Sequence, residues 1–270
     1  MKLGMKKNYL TSLASSITLA LALALPAHAG VTAQSYIVMA QDGSVLAEHN
    51  ADDIRPLASI TKLIALAGVK PGNHFISITP DEQDNIKGTR MRLKIGSYAQ
   101  NDLFEAALIS SNNEAAKAVG KSVPNLIDLV NKQNADLGLQ LTLVEPSGLD
   151  PHNVGTARAL AKFLWTIKDL PSAQISVTSS GKLPGRTTNR LLGAKGWEFQ
   201  VVKTGYIKEA GGCVVTMTKI AGQWVVIAVL GSASVNSRWI DLALIRRTLA
   251  PDDMFYEPGN LVLKGKKKKK

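Results

Sequence analysis

Ser59-Ile60-Thr61-Lys62 is the stretch from which the organisation of this 270-residue chain can be worked out. It opens an apolar run, Leu63 to Val69, that predicts a helix. Residues three apart lie on one helix face, so the Lys62 amine can reach the Ser59 hydroxyl. A serine needs a base to act as a nucleophile, and a lysine is that base only if burial or a neighbouring cation lowers its pKa. The spacing therefore predicts a nucleophile and its base, with backbone N–H groups of the helix start available to an oxyanion.

The same spacing occurs twice, so it does not identify the site alone. A second copy lies at Ser179 and Lys182, next to Gly181 and near Pro184 in a predicted loop. The ordinary interpretation of such a pair is a solvated lysine one turn from a serine. Other motifs must decide between the two interpretations.

The first 29 residues predict a secretory signal peptide. A basic start precedes an apolar core at Ile17–Leu25, and Ala27-His28-Ala29 fits a small-x-small cleavage site. The apolar stretch is short for a membrane span, and the alternative is an uncleaved anchor. We therefore expect a folded domain at residues 30–250 in the periplasm or cell envelope, and a C-terminal extension at 251–270.

The net charge of +11 is concentrated at the two ends of the chain. Three lysines lie in the predicted signal peptide and six in the tail at 264–270, which leaves +2 for residues 30–263. A nearly neutral body gives no support for nucleic-acid binding. We expect the tail to be disordered. It either contacts anionic lipid or wall polymer, or it has no partner. The single cysteine, Cys213, excludes an internal disulfide and is predicted to be a small buried hydrophobe.

Strands at both ends of the sequence enclose a helical middle. The runs Ala33–Ala40 and Val45–His49 flank an Asp-Gly turn and predict a hairpin. The other predicted elements are a strand at Arg90–Ile95, helices at Leu103–Ile109, Asn113–Lys121, Pro124–Leu137 and from Thr156 through Leu170, strands at Glu198–Val202, Cys213–Lys219 and Trp224–Leu230, and a helix at Asn236–Leu249. We expect an α/β (α+β) fold in which one antiparallel sheet comes from the N- and C-terminal thirds. Helices flank this sheet, and a mostly helical inserted lobe forms a cleft at the junction.

Two further motifs supply polar groups for a site. Ser111-Asn112-Asn113 lies in a predicted helix break, where a hydroxyl can relay a proton and an amide can hold a peptide. Ser110-Ser111-Asn112 also fits Ser-x-Asn, so spacing leaves the register open. Lys203-Thr204-Gly205 follows a strand-like run, and there a lysine supplies charge, a threonine a donor and a glycine close backbone approach. Each motif alone also fits an ordinary helix break or strand end.

The three motifs in this order form the set found in class A β-lactamases and penicillin-binding proteins. Their flanks resemble the D-alanyl-D-alanine carboxypeptidase (peptidase S11) family, and the segments that carry this resemblance are Arg55–Lys62, Ile109–Ala116, Glu145–Asp150, Thr156–Leu160, Thr188–Leu192 and Lys203–Cys213. Four segments are most similar to its D-alanyl-D-alanine endopeptidase branch, the penicillin-binding-protein-7 type: Ile86–Gly88, Arg90–Leu93, Val144–Pro146 and His152–Thr156. The resemblance implies a penicillin-binding protein/β-lactamase-like transpeptidase fold and a serine DD-peptidase domain without cofactor or metal.

The resemblance also implies a role for each site residue. Ser59 would be the nucleophile, Lys62 its base, and Ser111 the relay that passes the proton to the leaving amine. The implied substrate-binding residues are Asn113, Lys203, Thr204, Gly205, Tyr206 and Arg238. Among these, the amide of Asn113 would hold the peptide, and the N–H groups of Ser59 and Tyr206 would form the oxyanion hole.

The carboxylate that follows the scissile bond has its own implied partners. Lys203 and Thr204 would bind it, and Arg238 falls where the family often has a carboxylate-binding arginine. The flank of Arg238 is diverged, and the alternative is an exposed arginine at a helix start. The implied ligands are peptidoglycan stem peptides, with β-lactams as inhibitors. The sequence leaves open whether the enzyme cuts a terminal D-Ala, as a carboxypeptidase, or a cross-link, as an endopeptidase.

Three alternatives fit the sequence less well. Class A β-lactamases use a glutamate with an asparagine four residues later, whereas Glu145 is followed by Leu149 at that spacing. A non-catalytic murein-binding or penicillin-sensing protein has the same fold, but here every catalytic side chain is present. A metallopeptidase is disfavoured because the chain has no His-Glu-x-x-His motif.

Overall fold

A computed structural model describes residues 30–83, 92–255 and 257. The predicted signal peptide, the Ile86–Gly88 segment and the lysine tail lie outside these residues. The strands of the described part are β1 (Ser35–Ala40), β2 (Val45–His49), β3 (Arg55–Pro56), β4 (Phe75–Ile78), β5 (Gly96–Ala99), β6 (Leu141–Thr142), β7 (Val154–Gly155), β8 (Phe199–Ile207), β9 (Gly211–Ile220) and β10 (Gln223–Ser232). Its helices are α1 (Thr61–Leu66), α2 (Pro80–Gln83), α3 (Gln100–Ile109), α4 (Asn113–Lys121), α5 (Leu126–Asp136), α6 (Ala157–Ile167), α7 (Pro171–Ser176) and α8 (Ser237–Leu249), with a 3₁₀ turn at Ala58–Ile60 directly before α1.

A five-stranded antiparallel sheet joins the two ends of the chain. Its strand order is β2-β1-β10-β9-β8, so the N-terminal hairpin adds to the three C-terminal strands. β1 pairs with β10 from Ser35↔Leu230 to Ala40↔Val225. The Asp-Gly turn of the hairpin is present, with Gly43 at a φ of 86° that favours glycine. The predicted sheet from the N- and C-terminal thirds is confirmed.

Helices cover both faces of this sheet. On one face α8 packs against β9 and β10, and Trp239, Leu242 and Ile245 belong to the core on that side. The other face carries α6 and the helical lobe, whose shared core includes Leu63 and Phe104. This arrangement confirms the predicted helical insertion. Among the described residues, no helix has the length and apolar character needed to cross a bilayer.

The C-terminal strands are longer than the sequence predicts. β8 continues to Ile207, which pairs with Gly211, because its hydrogen bonding with β9 persists through the Lys203-Thr204-Gly205 motif. The motif therefore lies inside an edge strand and not at its end. In the helical lobe, the helix predicted to run through Leu170 ends at Ile167, and Pro171 opens a separate helix.

Two local predictions in the middle of the chain are wrong. The described part of Arg90–Ile95 is not a strand, because the Leu93 N–H donates to the Glu114 carboxylate and its carbonyl accepts from the Gln83 side chain. These side chains replace the ladder of a neighbouring strand. Helix α3 begins at Gln100, three residues before the predicted start at Leu103.

The start of α6 provides a test of a local stabilising contact. The Thr156 hydroxyl accepts a hydrogen bond from the Ala159 N–H at 3.0 Å. Thr156→Ala should therefore lower the free energy of unfolding by about 1 kcal/mol, measured by urea denaturation. Thr166→Ala, at an exposed position of the same helix, should change it by less than about 0.5 kcal/mol. Equal losses in both variants would contradict the capping role.

Candidate active site

Ser59, the candidate nucleophile, lies in a strained turn that packs against the sheet. Ser59 is the middle residue of the 3₁₀ turn, and Ala58 before it has a φ of 47°, in the left-handed region. A Cβ placed on Gly205 of β8 would lie 3.0 Å from the Ser59 backbone nitrogen. Glycine at this position therefore lets the strand approach the turn closely. The backbone N–H of Ser59 lies beside the edge strand as a result.

Lys62 is completely buried in α1. Its Nζ lies 2.8 Å from Ser59 Oγ, 2.7 Å from Asn113 Oδ1 and 2.5 Å from the Ser147 carbonyl oxygen. Burial lowers the pKa of Lys62 to about 7, while the Glu145 carboxylate acts in the opposite direction. An amine with this pKa is a competent general base near neutral pH.

The contacts of Lys62 also direct its lone pair. A neutral amine has two N–H groups and one lone pair. The carbonyl oxygens of Asn113 and Ser147 only accept hydrogen bonds, so the two N–H groups are directed to them. The lone pair is left for the Ser59 hydroxyl, which then donates to the amine. The geometry is thus the one needed to deprotonate Ser59.

The break between α3 and α4 brings Ser111 to a second lysine. Ser111 has a φ of 61°, and its Oγ lies 2.8 Å from Lys203 Nζ. The Ser110 hydroxyl, by contrast, donates to a carbonyl of its own helix, and the Asn112 side chain caps α4. Ser111 therefore contacts Lys203, and Asn113 contacts Lys62. This is the register that the family resemblance implies.

Lys203 forms the other side of the site from the middle of β8. It is buried, and burial lowers its pKa well below the usual range; the positive charges of Lys62 and Arg238 lower it further. Two buried amines and a guanidinium therefore share one region. Such a cluster favours an anionic ligand, whose charge would stabilise the protonated lysine.

The remaining predicted residues lie on or behind the same strand. The Thr204 hydroxyl donates to the Thr188 hydroxyl at 2.8 Å, and the Tyr206 side chain is 51% exposed. Arg238 is buried, so the alternative of an exposed arginine does not hold; its Nη1 lies 2.7 Å from the Gly205 carbonyl oxygen. Cys213 is also buried, which raises the pKa of its thiol to about 11 and fits the predicted structural role.

Three residues of the site had no role in the sequence interpretation. Thr188 contacts Thr204, the Ser147 carbonyl accepts from Lys62, and Gly148 supports the turn of Ser59. All three lie in segments that carry the family resemblance. A backbone carbonyl and a glycine have no side-chain chemistry that a motif search would detect. Their roles depend on how the chain folds back against the site.

The loop after Val144 is held by a carboxylate that points into the loop itself. Glu145 accepts hydrogen bonds from the backbone N–H groups of Ser147, Leu149 and Asp150, and from the Asn153 side chain. Burial alone would raise its pKa, but these bonds, those of Ser147 foremost, hold the pKa below the usual value. Glu145 is therefore a structural carboxylate of the loop, unlike the hydrolytic glutamate of a β-lactamase.

The second Ser-x-x-Lys pair does not form a site. Ser179 and Lys182 are both exposed in a loop, and Lys182 pairs with Asp102 at 3.4 Å. Within the part of the chain that the structure describes, no three His, Cys, Asp or Glu side chains are grouped to hold a metal ion.

Comparison with known proteins identifies the family of this chain. The profile of the D-alanyl-D-alanine carboxypeptidase family (peptidase S11) matches residues 23–234, so the chain belongs to this family. It is 32% identical over 264 residues to a D-alanyl-D-alanine endopeptidase of Pseudomonas aeruginosa, covering 88% of this chain and 85% of that protein. A D-alanyl-D-alanine endopeptidase of Escherichia coli is 31% identical over 230 residues, 78% of this chain and 74% of the relative.

A solved structure shows the same fold. Penicillin-binding protein D2 from Listeria monocytogenes, in its ampicillin-bound form, matches with a TM-score of 0.69 and 25% identity. The match covers 81% of this chain and 97% of that one. The transpeptidase-type fold and the family resemblance that the motifs indicate are both confirmed.

Gly148 provides a test of how the loop supports the nucleophile turn. Its φ is 76°, and a Cβ there would lie 2.0 Å from the Ala58 carbonyl oxygen; Gly138 has a φ of 64° with open space around it. Gly138→Ala should lower the free energy of unfolding by about 1–2 kcal/mol, through backbone strain alone. Gly148→Ala should cost about 1–3 kcal/mol more by overpacking, and it should shift the NMR signal of the Ser59 amide. Equal losses of unfolding free energy, with an unmoved Ser59 signal, would contradict this support.

Proposed function

We propose that this chain is a serine DD-peptidase that cleaves D-alanyl peptide bonds in peptidoglycan through an acyl-enzyme on Ser59. One observation carries the proposal. The buried Lys62 amine, whose pKa is lowered to about 7, lies 2.8 Å from the Ser59 hydroxyl oxygen. Membership of the peptidase S11 family supports the same activity. The ampicillin bound to the Listeria protein supports acylation by penicillins.

The contacts suggest an order of proton transfers. Lys62 takes the proton of Ser59 as the oxygen attacks the carbonyl carbon of the scissile bond. The N–H groups of Ser59 and Tyr206 stabilise the oxyanion. Ser111, hydrogen-bonded to Lys203, relays to the leaving amine the proton that Lys62 took from Ser59, so that Lys62 is neutral again as the C–N bond breaks and an ester remains on Ser59. Water then hydrolyses this ester and restores the serine hydroxyl.

The charge of the site supports a substrate with a carboxylate beside the scissile bond. Lys203 is buried among cationic neighbours, so an anion close to it relieves their repulsion. Lys203 and Thr204 bind this carboxylate, and Asn113 holds the peptide. A terminal D-Ala and a cross-link through the D-centre of diaminopimelate both present such a group. We propose the cross-link as the main substrate, because the two relatives compared above are named endopeptidases.

The proposed location is the periplasm, where the substrate is found. This proposal rests on the signal peptide predicted over residues 1–29.

We also propose the lysine tail as a loose electrostatic tether to anionic lipid or wall polymer. Truncation after Leu263 should then remove salt-sensitive co-sedimentation of the protein with anionic vesicles or purified wall. Unchanged sedimentation would show that the tail is not the tether.

Labelling with a fluorescent penicillin tests the covalent step. The wild-type protein should be labelled, and Ser59→Ala should abolish the label because the ester oxygen is removed. Ser179→Ala removes the serine of the second Ser-x-x-Lys pair and should label at the wild-type rate. Label that persists in Ser59→Ala, or disappears in Ser179→Ala, would show that the nucleophile is assigned wrongly.

Replacement of each buried lysine by arginine should affect the acylation rate differently. Lys62→Arg should abolish acylation, since a guanidinium does not give up its proton near neutral pH. Lys203→Arg should retain part of the acylation rate, because it keeps the positive charge that we assign to this position. Stopped-flow measurement of penicillin acylation separates the two. Complete loss in both variants would argue against this division of roles.

Digestion of purified muropeptides tests the choice of substrate. Cross-linked dimer and monomeric pentapeptide are incubated separately with the wild-type protein and with Ser59→Ala, and the products are measured by mass spectrometry. We expect monomers to appear from the dimer faster than D-Ala is lost from the pentapeptide. The reverse order would make the enzyme primarily a carboxypeptidase, and cleavage by Ser59→Ala would point to a contaminant.

A further inference from the structure

Arg238 of α8 contacts β8, the strand that carries the Lys-Thr-Gly motif. It lies at the start of α8, is only 5% exposed, and its Nη1 lies 2.7 Å from the Gly205 carbonyl oxygen. The same Nη1 lies 3.4 Å from the carbonyl oxygen of Cys213, the residue of β9 that pairs with Gly205. The Gly205 carbonyl therefore points towards β9 and the guanidinium.

The Gly205 carbonyl and the Tyr206 N–H belong to one peptide unit. In a planar trans peptide these two groups point in opposite directions, and the described residues contain no cis peptide bond. With the carbonyl directed to β9, the Tyr206 N–H is directed to the other edge of β8, which is the last strand of the sheet. The turn of Ser59 packs against β8 at Gly205. The N–H is thus presented on the side of the cleft.

We propose that Arg238 is a positioning residue of the oxyanion hole, which orients and polarises the Gly205–Tyr206 peptide by holding its carbonyl. A charged donor makes a stronger hydrogen bond than a neutral one. Polarisation of the carbonyl in turn makes the N–H of the same amide a better donor. This role replaces direct binding of the substrate carboxylate by Arg238. It rests on the proposed function, because it requires an oxyanion at Ser59.

Three variants separate this role from a structural one. Arg238→Gln removes the charge, and Arg238→Lys keeps a charged donor on a shorter side chain. Arg246→Gln is the matched control, because Arg246 is a buried arginine of the same helix that donates to the Gly196 carbonyl at 2.7 Å, away from the Lys-Thr-Gly motif. Both glutamine variants lose a buried guanidinium bound to a backbone carbonyl. Only the Arg238 variants change a peptide next to Ser59.

The readout is the infrared band of the acyl carbonyl after reaction with a penicillin labelled with ¹³C at the β-lactam carbonyl. A strong oxyanion hole lowers the frequency of this band. Arg238→Gln should raise the frequency and slow acylation by about 10- to 100-fold, somewhat less than the loss of a whole oxyanion donor. Arg238→Lys should recover part of both effects. Arg246→Gln should match the wild-type band and rate.

A penicillin and its methyl ester distinguish positioning from carboxylate binding. If Arg238 positions the oxyanion hole, Arg238→Gln slows acylation by both compounds by the same factor. A loss confined to the free acid, with an unmoved carbonyl band, would overturn the proposal and make Arg238 a carboxylate ligand. An equal band shift in Arg246→Gln would also overturn it. Absence of an acyl-enzyme in the wild-type protein would instead refute the proposed function, and this inference with it.

Discussion

The burial of the Lys62 amine against three oxygen atoms is the interaction on which the site depends. The oxygens come from the turn of Ser59, from Asn113 in α4 and from the Ser147 carbonyl in the Glu145 loop. Desolvation disfavours the ammonium form and gives the amine a pKa of about 7. The same contacts hold three separate segments together around one atom. The lowered pKa of Lys62 and the local structure therefore have one physical cause.

A second serine–lysine contact lies across the cleft. Ser111, in the break between two lobe helices, is 2.8 Å from Lys203 in the edge strand of the sheet. This contact links the helical lobe to the sheet, whereas the contacts of Lys62 join Ser59, Asn113 and Ser147, which lie outside the sheet strands. The sheet edge also brings Gly205 next to the nucleophile turn. The cleft is thus defined by polar contacts that only the assembled fold can make.

The sequence alone predicts the sheet, the helical lobe and the side chains of the site, because each has a local pattern or a motif. It predicts less well what depends on long-range pairing, such as the extension of β8 through Lys203. It also misses roles carried by the backbone, as at Ser147 and Gly148. Arg238 shows the same limit. The family resemblance implies a carboxylate ligand at this position, whereas the buried contact of Arg238 with the Gly205 carbonyl depends on the packing of α8.

The most direct test of this account is the protonation of Lys62 in the free protein. In protein labelled with ¹³C at lysine Cε, NMR titration gives the pKa, and Lys62→Met assigns the signal by its loss. We predict a midpoint near pH 7, with the ammonium form below it and the neutral amine above it. A midpoint near the ordinary lysine value of about 10.4 would contradict the claim that burial makes Lys62 the base.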